Sequence, residues 1–227
     1  MKKENRSHSM QETLLPFHEH YTVKHIPIKR IFDLAFSLLA LLIGLPLFLL
    51  IAAAIRLNSK GRAIYSHQRI GRGGKAFSCY KFRSMYADAD ARLQGLLERD
   101  PTLKKEWLET RKLKNDPRVT PVGNFLRKTS LDELPQFWNV LKGDLSIVGP
   151  RPVVKDEVIH YLGEKAPKIL SIRPGLTCIW QVSGRNDTSY SKRIQLDEHY
   201  VDNYSLLLDL KLICKTIPSM IYSKGAY

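Results

Sequence analysis

"LAFSLLALLIGLPLFLLIAAAI" runs from Leu34 to Ile55 without a charged residue. At ~1.5 Å per helical residue this stretch reaches roughly 33 Å, enough for a bilayer hydrocarbon core of ~30 Å. Hydropathy alone favours one straight transmembrane helix. Two features oppose it. Pro46 stands near the middle, where it removes a backbone donor and clashes with the carbonyl four residues earlier, so a bend is expected. Both flanks are basic, with Lys29 and Arg30 before the run and Arg56, Lys60 and Arg62 after it. Basic flanks prefer the cytoplasmic side. A straight span satisfies one flank; a helix-break-helix hairpin entering and leaving by one face satisfies both. The hairpin's cost is the carbonyl freed at Pro46, which needs a partner in hydrocarbon. A signal peptide is excluded by the run's length, its position and the lack of a small-residue cleavage site.

The rest of the chain fits a globular domain. Its 227 residues carry a formal net charge of +14, which points to an anionic partner: nucleic acid, a membrane surface or a phosphorylated substrate. Aromatic residues are not interleaved with basic ones as nucleic-acid binding requires, so nucleic acid is not the expected partner. Cys79, Cys178 and Cys214 are far apart and odd in number, which argues against a disulfide framework or a zinc site. Residues 1–24 are polar and aperiodic, and read as a flexible tail.

Ala63 to His67 and Lys75 to Met85 read as two strands joined by a turn at Gly73-Gly74. Alternation places Lys81 and Arg83 on one face of the second. The run Gly71 to Lys75 lacks phosphate-loop spacing and reads as a basic hairpin turn. Ala87 to Lys114 predicts two short helices divided at Pro101. Further helices are expected from near Leu131, over Lys155 to Leu162 and over Ser191 to Tyr204. Ser205 to Tyr222 carries an apolar stripe at Leu206, Leu210, Ile213, Ile217 and Ile221. Core packing explains it, and so does a helix lying at a membrane surface beside Lys211 and Lys215.

Ser130-Leu131-Asp132-Glu133 fits a capping box, in which Glu133 returns to the Ser130 amide and the acids are structural. Either helix register leaves Asp132 at a helix start, where an ionised carboxylate is favoured. A carboxylate beside a phosphate site is also a candidate nucleophile, provided that cations converge to offset charge. Gly149-Pro150-Arg151-Pro152 offers a guanidinium on a stiff backbone; the plain alternative is a salt bridge, for instance with Asp144. Arg173 (before Pro174-Gly175) and Arg185 (after Gly184) are framed similarly, and Lys81 and Arg83 are further basic candidates.

The blocks "KRIFDLAFSLLALLIGLPLFLL", "YKFRSM", "DPRVTPVGNFLRKTSLDELPQFWNVLKGDLSIVGPRP", "RPGLTCIWQVSGR" and "LLLDLK", in this order over Lys29 to Tyr222, resemble the monotopic phosphoglycosyl transferases, or bacterial sugar transferases. The resemblance implies transfer of a sugar phosphate from a UDP-sugar to polyprenyl (undecaprenyl) phosphate, with release of UMP. It implies Asp132 as nucleophile, Glu133 as its partner, magnesium held with Asp132 and Glu133, and Arg151 as a phosphate contact. It also implies a re-entrant membrane helix broken at Pro46 and a site at the cytoplasmic face of the bacterial inner membrane. Three positions depart from the family pattern: Leu45 precedes Pro46 where Ser is common, His67 replaces a Gln ahead of Arg69 and Gly71, and Cys178 replaces a Gly.

The expected fold is α/β and helix-rich, in its minimal catalytic form. A tail over 1–24 precedes a re-entrant helix over 25–58, followed by a cytoplasmic catalytic domain over 59–227 with a small β-hairpin and amphipathic interfacial helices. The competing reading is a non-catalytic basic membrane module that binds anionic lipid or nucleic acid. "KNDPRVTPVG" leans towards hexose-1-phosphate transfer over N-acetylated amino sugars.

Overall fold

A computed structural model describes residues 26–110, 113, 115–183 and 189–221. The expected tail over 1–24 and Arg185 lie outside them. Helix α1 spans Pro27–Asn58. A hairpin follows, β1 (Ile64–Ile70) antiparallel to β2 (Ala76–Phe82). Its connection is a 3-10 turn at Arg72–Gly74, where Gly73 takes φ 67°, a left-handed geometry that glycine adopts freely. Helices α2 (Ala89–Arg99) and α3 (Pro101–Thr110) divide at Pro101 as expected. Then come α4 (Pro121–Lys128), α5 (Gln136–Lys142), β3 (Ser146–Val148), α6 (Lys155–Glu157), α7 (Ala166–Ile169), β4 (Gly175–Thr177), α8 (Ile179–Val182), α9 (Tyr190–Asn203) and α10 (Leu206–Ile221).

The β3–β4 pair is parallel and was not expected from the sequence. Three-residue strands carry too little alternation to read. Gly149 and Gly175 allow the close approach beside it: a Cβ on Gly175 would stand 2.1 Å from the Gly149 nitrogen. The backbone leading to Arg151 is thereby strapped to β4, and the Gly175 amide donates to the Pro150 carbonyl at 2.8 Å.

Helix α1 is one helical element that continues through Pro46. Its two ends rest on the same body. Near the start, the buried Asp33 carboxylate accepts from Ser146 Oγ at 2.8 Å and from the Ile147 amide at 3.1 Å. Lys29 pairs with buried Asp209 and donates to the Val148 carbonyl at 3.0 Å. Near the end, Ile51 and Ile55 join Ala63, Phe82 and Leu126 in one core cluster. A fully buried Ile contributes about 2 kcal/mol. Between these anchors, Leu38, Leu39, Leu42, Ile43, Leu45 and Leu47 are exposed.

A second cluster joins Val140, Leu145, Ile147, Val148, Tyr200 and Leu212, which seats α10 on β3. On α10 the inward face is Asp209 and Leu212, while Leu207, Leu210 and Ile217 are exposed. Core packing therefore does not account for the stripe at Leu210 and Ile217. Pro218 lies inside the helix and does not end it.

Candidate active site

The predicted helix start near Leu131 is a single 3-10 turn, Leu131–Glu133, followed by Pro135 and then α5. The capping box does not form. Ser130 takes a left-handed φ of 56° and its side chain caps nothing. Glu133 instead accepts from Lys81 Nζ at 2.6 Å, and Asp132 lies 3.7 Å from the same nitrogen. Both acids thus face Lys81 on the hairpin.

Asn139 explains why Lys81 can reach them. This fully buried residue takes the Tyr80 amide on Oδ1 at 2.9 Å and donates from Nδ2 to the Ser78 carbonyl at 2.7 Å. It thus pairs with the β2 backbone as a neighbouring strand would, and fixes Tyr80 and the adjoining Lys81 against α5. Its third bond, to Asp144 at 2.9 Å, ties in the turn after α5. Asp144 also pairs with Lys142, so the suggested Asp144–Arg151 bridge is not made.

The electrostatics differ from the helix-start expectation. Asp132 is 8% exposed. Burial pushes its carboxyl above the usual range; Glu133 adds to the rise, while Lys81 and Arg127 oppose it. For Lys81, burial works downward, but the charges of Glu133 and Asp132 outweigh it and the ammonium rises. Lys81, more than any helix start, favours the ionised dyad.

A cavity beside the acids is lined by Arg69, Lys81, Glu133, Gln136, Arg151 and Gln181, among others. Arg151 stacks on Trp180, 5.2 Å from the ring centroid. Arg69 was not singled out as a site residue from the sequence. Burial, then the Arg151 charge, push its guanidinium down, while Glu157 opposes them. Two guanidinia held together beside carboxylates suit an oxyanion. Behind them Glu157 lies 3.8 Å from Arg69 and 3.3 Å from Arg193. Buried Asp197 accepts from the Arg151 main-chain amide, and burial first of all raises its carboxyl to about 7. The retained Arg69-x-Gly71 spacing was the available signal for Arg69; Glu157 and Asp197 had none.

Other candidates sit elsewhere. Arg83 follows the last residue of β2, and its guanidinium donates to the Ser59 carbonyl at 2.7 Å and the Lys60 carbonyl at 2.8 Å. It closes the end of α1, because the chain leaves the strand before alternation can return it to the Lys81 face. Arg173 donates to the Gly143 carbonyl at 2.8 Å and lines a different cavity. Pro46 lies inside α1 and lines neither cavity. Among the described residues no group of three His, Cys, Asp or Glu side chains could hold a metal; the Asp132–Glu133 pair is the available oxygen donor set.

A family model described as bacterial sugar transferase matches residues 24–223. An exopolysaccharide production protein, ExoY of Sinorhizobium fredii, is 50% identical over 199 residues, covering 88% of each chain. An undecaprenyl-phosphate galactose phosphotransferase of Salmonella typhimurium is 48% identical over 200 residues, 88% of this chain and 42% of that protein. A UDP-glucose:undecaprenyl-phosphate glucose-1-phosphate transferase of Escherichia coli is 39% identical over 207 residues, 88% of this chain and 41% of that protein.

Proposed function

The chain belongs to the bacterial sugar transferase family, and on that premise we propose that it is an enzyme moving a sugar-1-phosphate from a UDP-sugar to undecaprenyl phosphate. The observation that carries the mechanism is the buried Asp132 carboxylate, 3.7 Å from Lys81 and beside the cavity of Arg69 and Arg151. An Asp132 oxygen attacks the β-phosphorus of the UDP-sugar. The bond from that phosphorus to the bridging oxygen breaks, and UMP leaves with the electron pair. The phosphate oxygen of undecaprenyl phosphate then attacks the same phosphorus, forming the lipid diphosphosugar and returning Asp132 as a carboxylate. Lys81, Arg69 and Arg151 offset the anionic charge as each phosphoryl group approaches.

Asp132 and Glu133 also suit magnesium, which is commonly held by one or two carboxylates with phosphate and water oxygens completing the shell. When bound, the ion would supply Lewis-acid neutralisation of the diphosphate.

The membrane reading rests on α1. Both of its ends are anchored to one domain, which a transmembrane span with the domain on one side does not permit. The exposed leucines between the anchors fit burial in one leaflet by a re-entrant segment, with any bend at Pro46 taken inside the continuous helix. The exposed Leu210 and Ile217 of α10 fit an interfacial helix. The basic flanks assign the cytoplasmic face.

The test combines intact-protein mass spectrometry with UMP release across a panel of UDP-sugars. The wild type is expected to gain the mass of one sugar phosphate on Asp132 without lipid acceptor, and to lose it when undecaprenyl phosphate is added. Asp132→Asn is expected to show neither adduct nor turnover. Substantial turnover by that variant would overturn the assignment.

A further inference from the structure

A second cavity, of about 70 Å³, lies at the first turn of α1 and shares no lining residue with the active-site cavity. Lys29, Arg30, Arg72 and Arg173 line it, with Asp33 and Tyr204 among the others. Two of these groups are already neutralised or engaged: Lys29 by Asp209, and Asp33 by the Ser146 hydroxyl and the Ile147 amide. Asp33, the carboxylate in the same lining, offsets part of the charge of the three arginines. Arg30 donates to the carbonyls of Val140 and Leu141, and Arg173 to that of Gly143. These are uncharged acceptors at the end of α5, and none of the three arginines forms an ion pair with a described carboxylate. Burial, then the charges of Arg30 and Arg72, push the Arg173 guanidinium below its usual range, and Asp33 opposes them.

Beyond what Asp33 offsets, three guanidinium charges around one small polar cavity favour an anion between them. A guanidinium has five N–H donors, and among the described residues Arg173 donates from its Nε. The exposed Arg72 makes no hydrogen bond with a described residue. The donor geometry suits a tetrahedral oxyanion, and the volume admits a phosphate group but not a nucleotide. The surroundings name the source: Ile28 and Ile31, on the same first turns of α1, are 58% and 66% exposed and open the helix's apolar surface. A group held here sits where α1 passes from protein to lipid.

We propose that Arg30, Arg72 and Arg173 form a binding site for the phosphate of an anionic phospholipid headgroup, separate from the catalytic cavity. The anion assignment stands on the cavity alone; the lipid source rests on α1 lying in the membrane. The site would fix the depth and rotation of α1 at its start.

Arginine modification by phenylglyoxal, mapped by peptide mass, tests it on the full chain in maltoside micelles. Four conditions are compared: micelles alone, micelles with inorganic phosphate, micelles doped with phosphatidylglycerol, and micelles doped with diacylglycerol, which lacks the phosphate. At lipid levels about ten times Kd the site is empty only about a tenth of the time, so phosphatidylglycerol is expected to slow Arg72 modification about tenfold. Diacylglycerol is expected to leave the rate unchanged. Protection by inorganic phosphate but not by phosphatidylglycerol overturns the lipid source; protection by neither overturns the site. UDP supplies the separating control: protection of Arg69 and Arg151 with Arg72 unaffected leaves the catalytic reading standing whatever Arg72 does with lipid. In native mass spectrometry, Arg72→Gln is expected to retain less phosphatidylglycerol per chain than wild type, and equal retention would also count against the site.

Discussion

Lys81 donates to Glu133 at 2.6 Å and stands 3.7 Å from Asp132. The cation is therefore seated on the second acid while its field still reaches the first. Glu133 acts as the seat that holds Lys81 in place, which on the proposed mechanism leaves Asp132 to meet an incoming phosphorus.

Removing Lys81 should make Asp132 harder to ionise. Burial already raises the Asp132 carboxyl, and Lys81 is the largest influence opposing the rise. In Lys81→Met the acid limb of the rate profile is expected to move to higher pH, with kcat lowered by about 100-fold or more from lost electrostatic stabilisation. Steady-state UMP release between pH 5 and 9 measures both. An unshifted acid limb would mean that Lys81 does not set the Asp132 ionisation.

Asp197 links acidity to the Arg151 loop. Its folded carboxyl is raised from 3.8 to about 7, so the folded state binds the proton more tightly than the unfolded state. The ionised group therefore costs stability, and that cost grows as pH rises from 3.8 to about 7 and is absent below 3.8. Asp197→Asn is expected to flatten the dependence of Tm on pH across this window while keeping an oxygen acceptor for the Arg151 amide. Asp197→Ala removes the acceptor and should raise KM for the UDP-sugar by a larger factor than Asp197→Asn does. Thermal unfolding and substrate titrations at pH 5 and pH 8 separate the two effects.

Lys29 neutralises an acid that is only 1% exposed on its side chain. Lys29→Met leaves Asp209 buried with the Tyr200 hydroxyl, 2.6 Å away, as its remaining polar partner. Breaking one side of a buried pair costs about 3–5 kcal/mol. Denaturant unfolding in detergent should show a loss of that order, and the double variant Lys29→Met with Asp209→Leu should recover much of it.

The two ends of α1 should face the same compartment. Ile28 and Leu57 are 58% and 89% exposed, which suits them to single cysteine replacements in a chain whose own exposed Cys214 is changed to Ser. A membrane-impermeant maleimide is expected to label both positions in inverted vesicles and neither in intact cells. Opposite labelling of the two would establish a span.

The sequence marks the large features well because they repeat. The apolar run, the glycine turn and the Pro101 division each involve several residues in pattern, and each is found where expected. The acid pair was legible as a site, but its geometry was not. Ser130-x-x-Glu133 reads as a cap, and only the approach of β2, fixed by Asn139 some 60 positions away in three-dimensional rather than sequential proximity to Ser78, turns Glu133 towards Lys81. Arg83 shows the opposite failure. Period-two alternation placed it with Lys81, yet β2 ends one residue earlier, and the guanidinium turns to the end of α1. Asp33, the lone acid beside the apolar run, is a signal that was available: a charge there needs buried partners, and Ser146 and Ile147 supply them.

That same anchoring bears on how the protein could be handled in water. Truncation before Ser59 would discard Asp33, Lys29, Ile51 and Ile55 together, leaving the Ser146 hydroxyl and the Asp209 carboxylate without their helix partners and opening the cluster around Phe82 and Leu126. A detergent-free version is better sought by repainting. Exchanging the outward Leu38, Leu39, Leu42 and Ile43 for Glu, Lys or Gln would leave the inward face untouched, so that the membrane segment becomes an ordinary amphipathic helix still bolted to its domain.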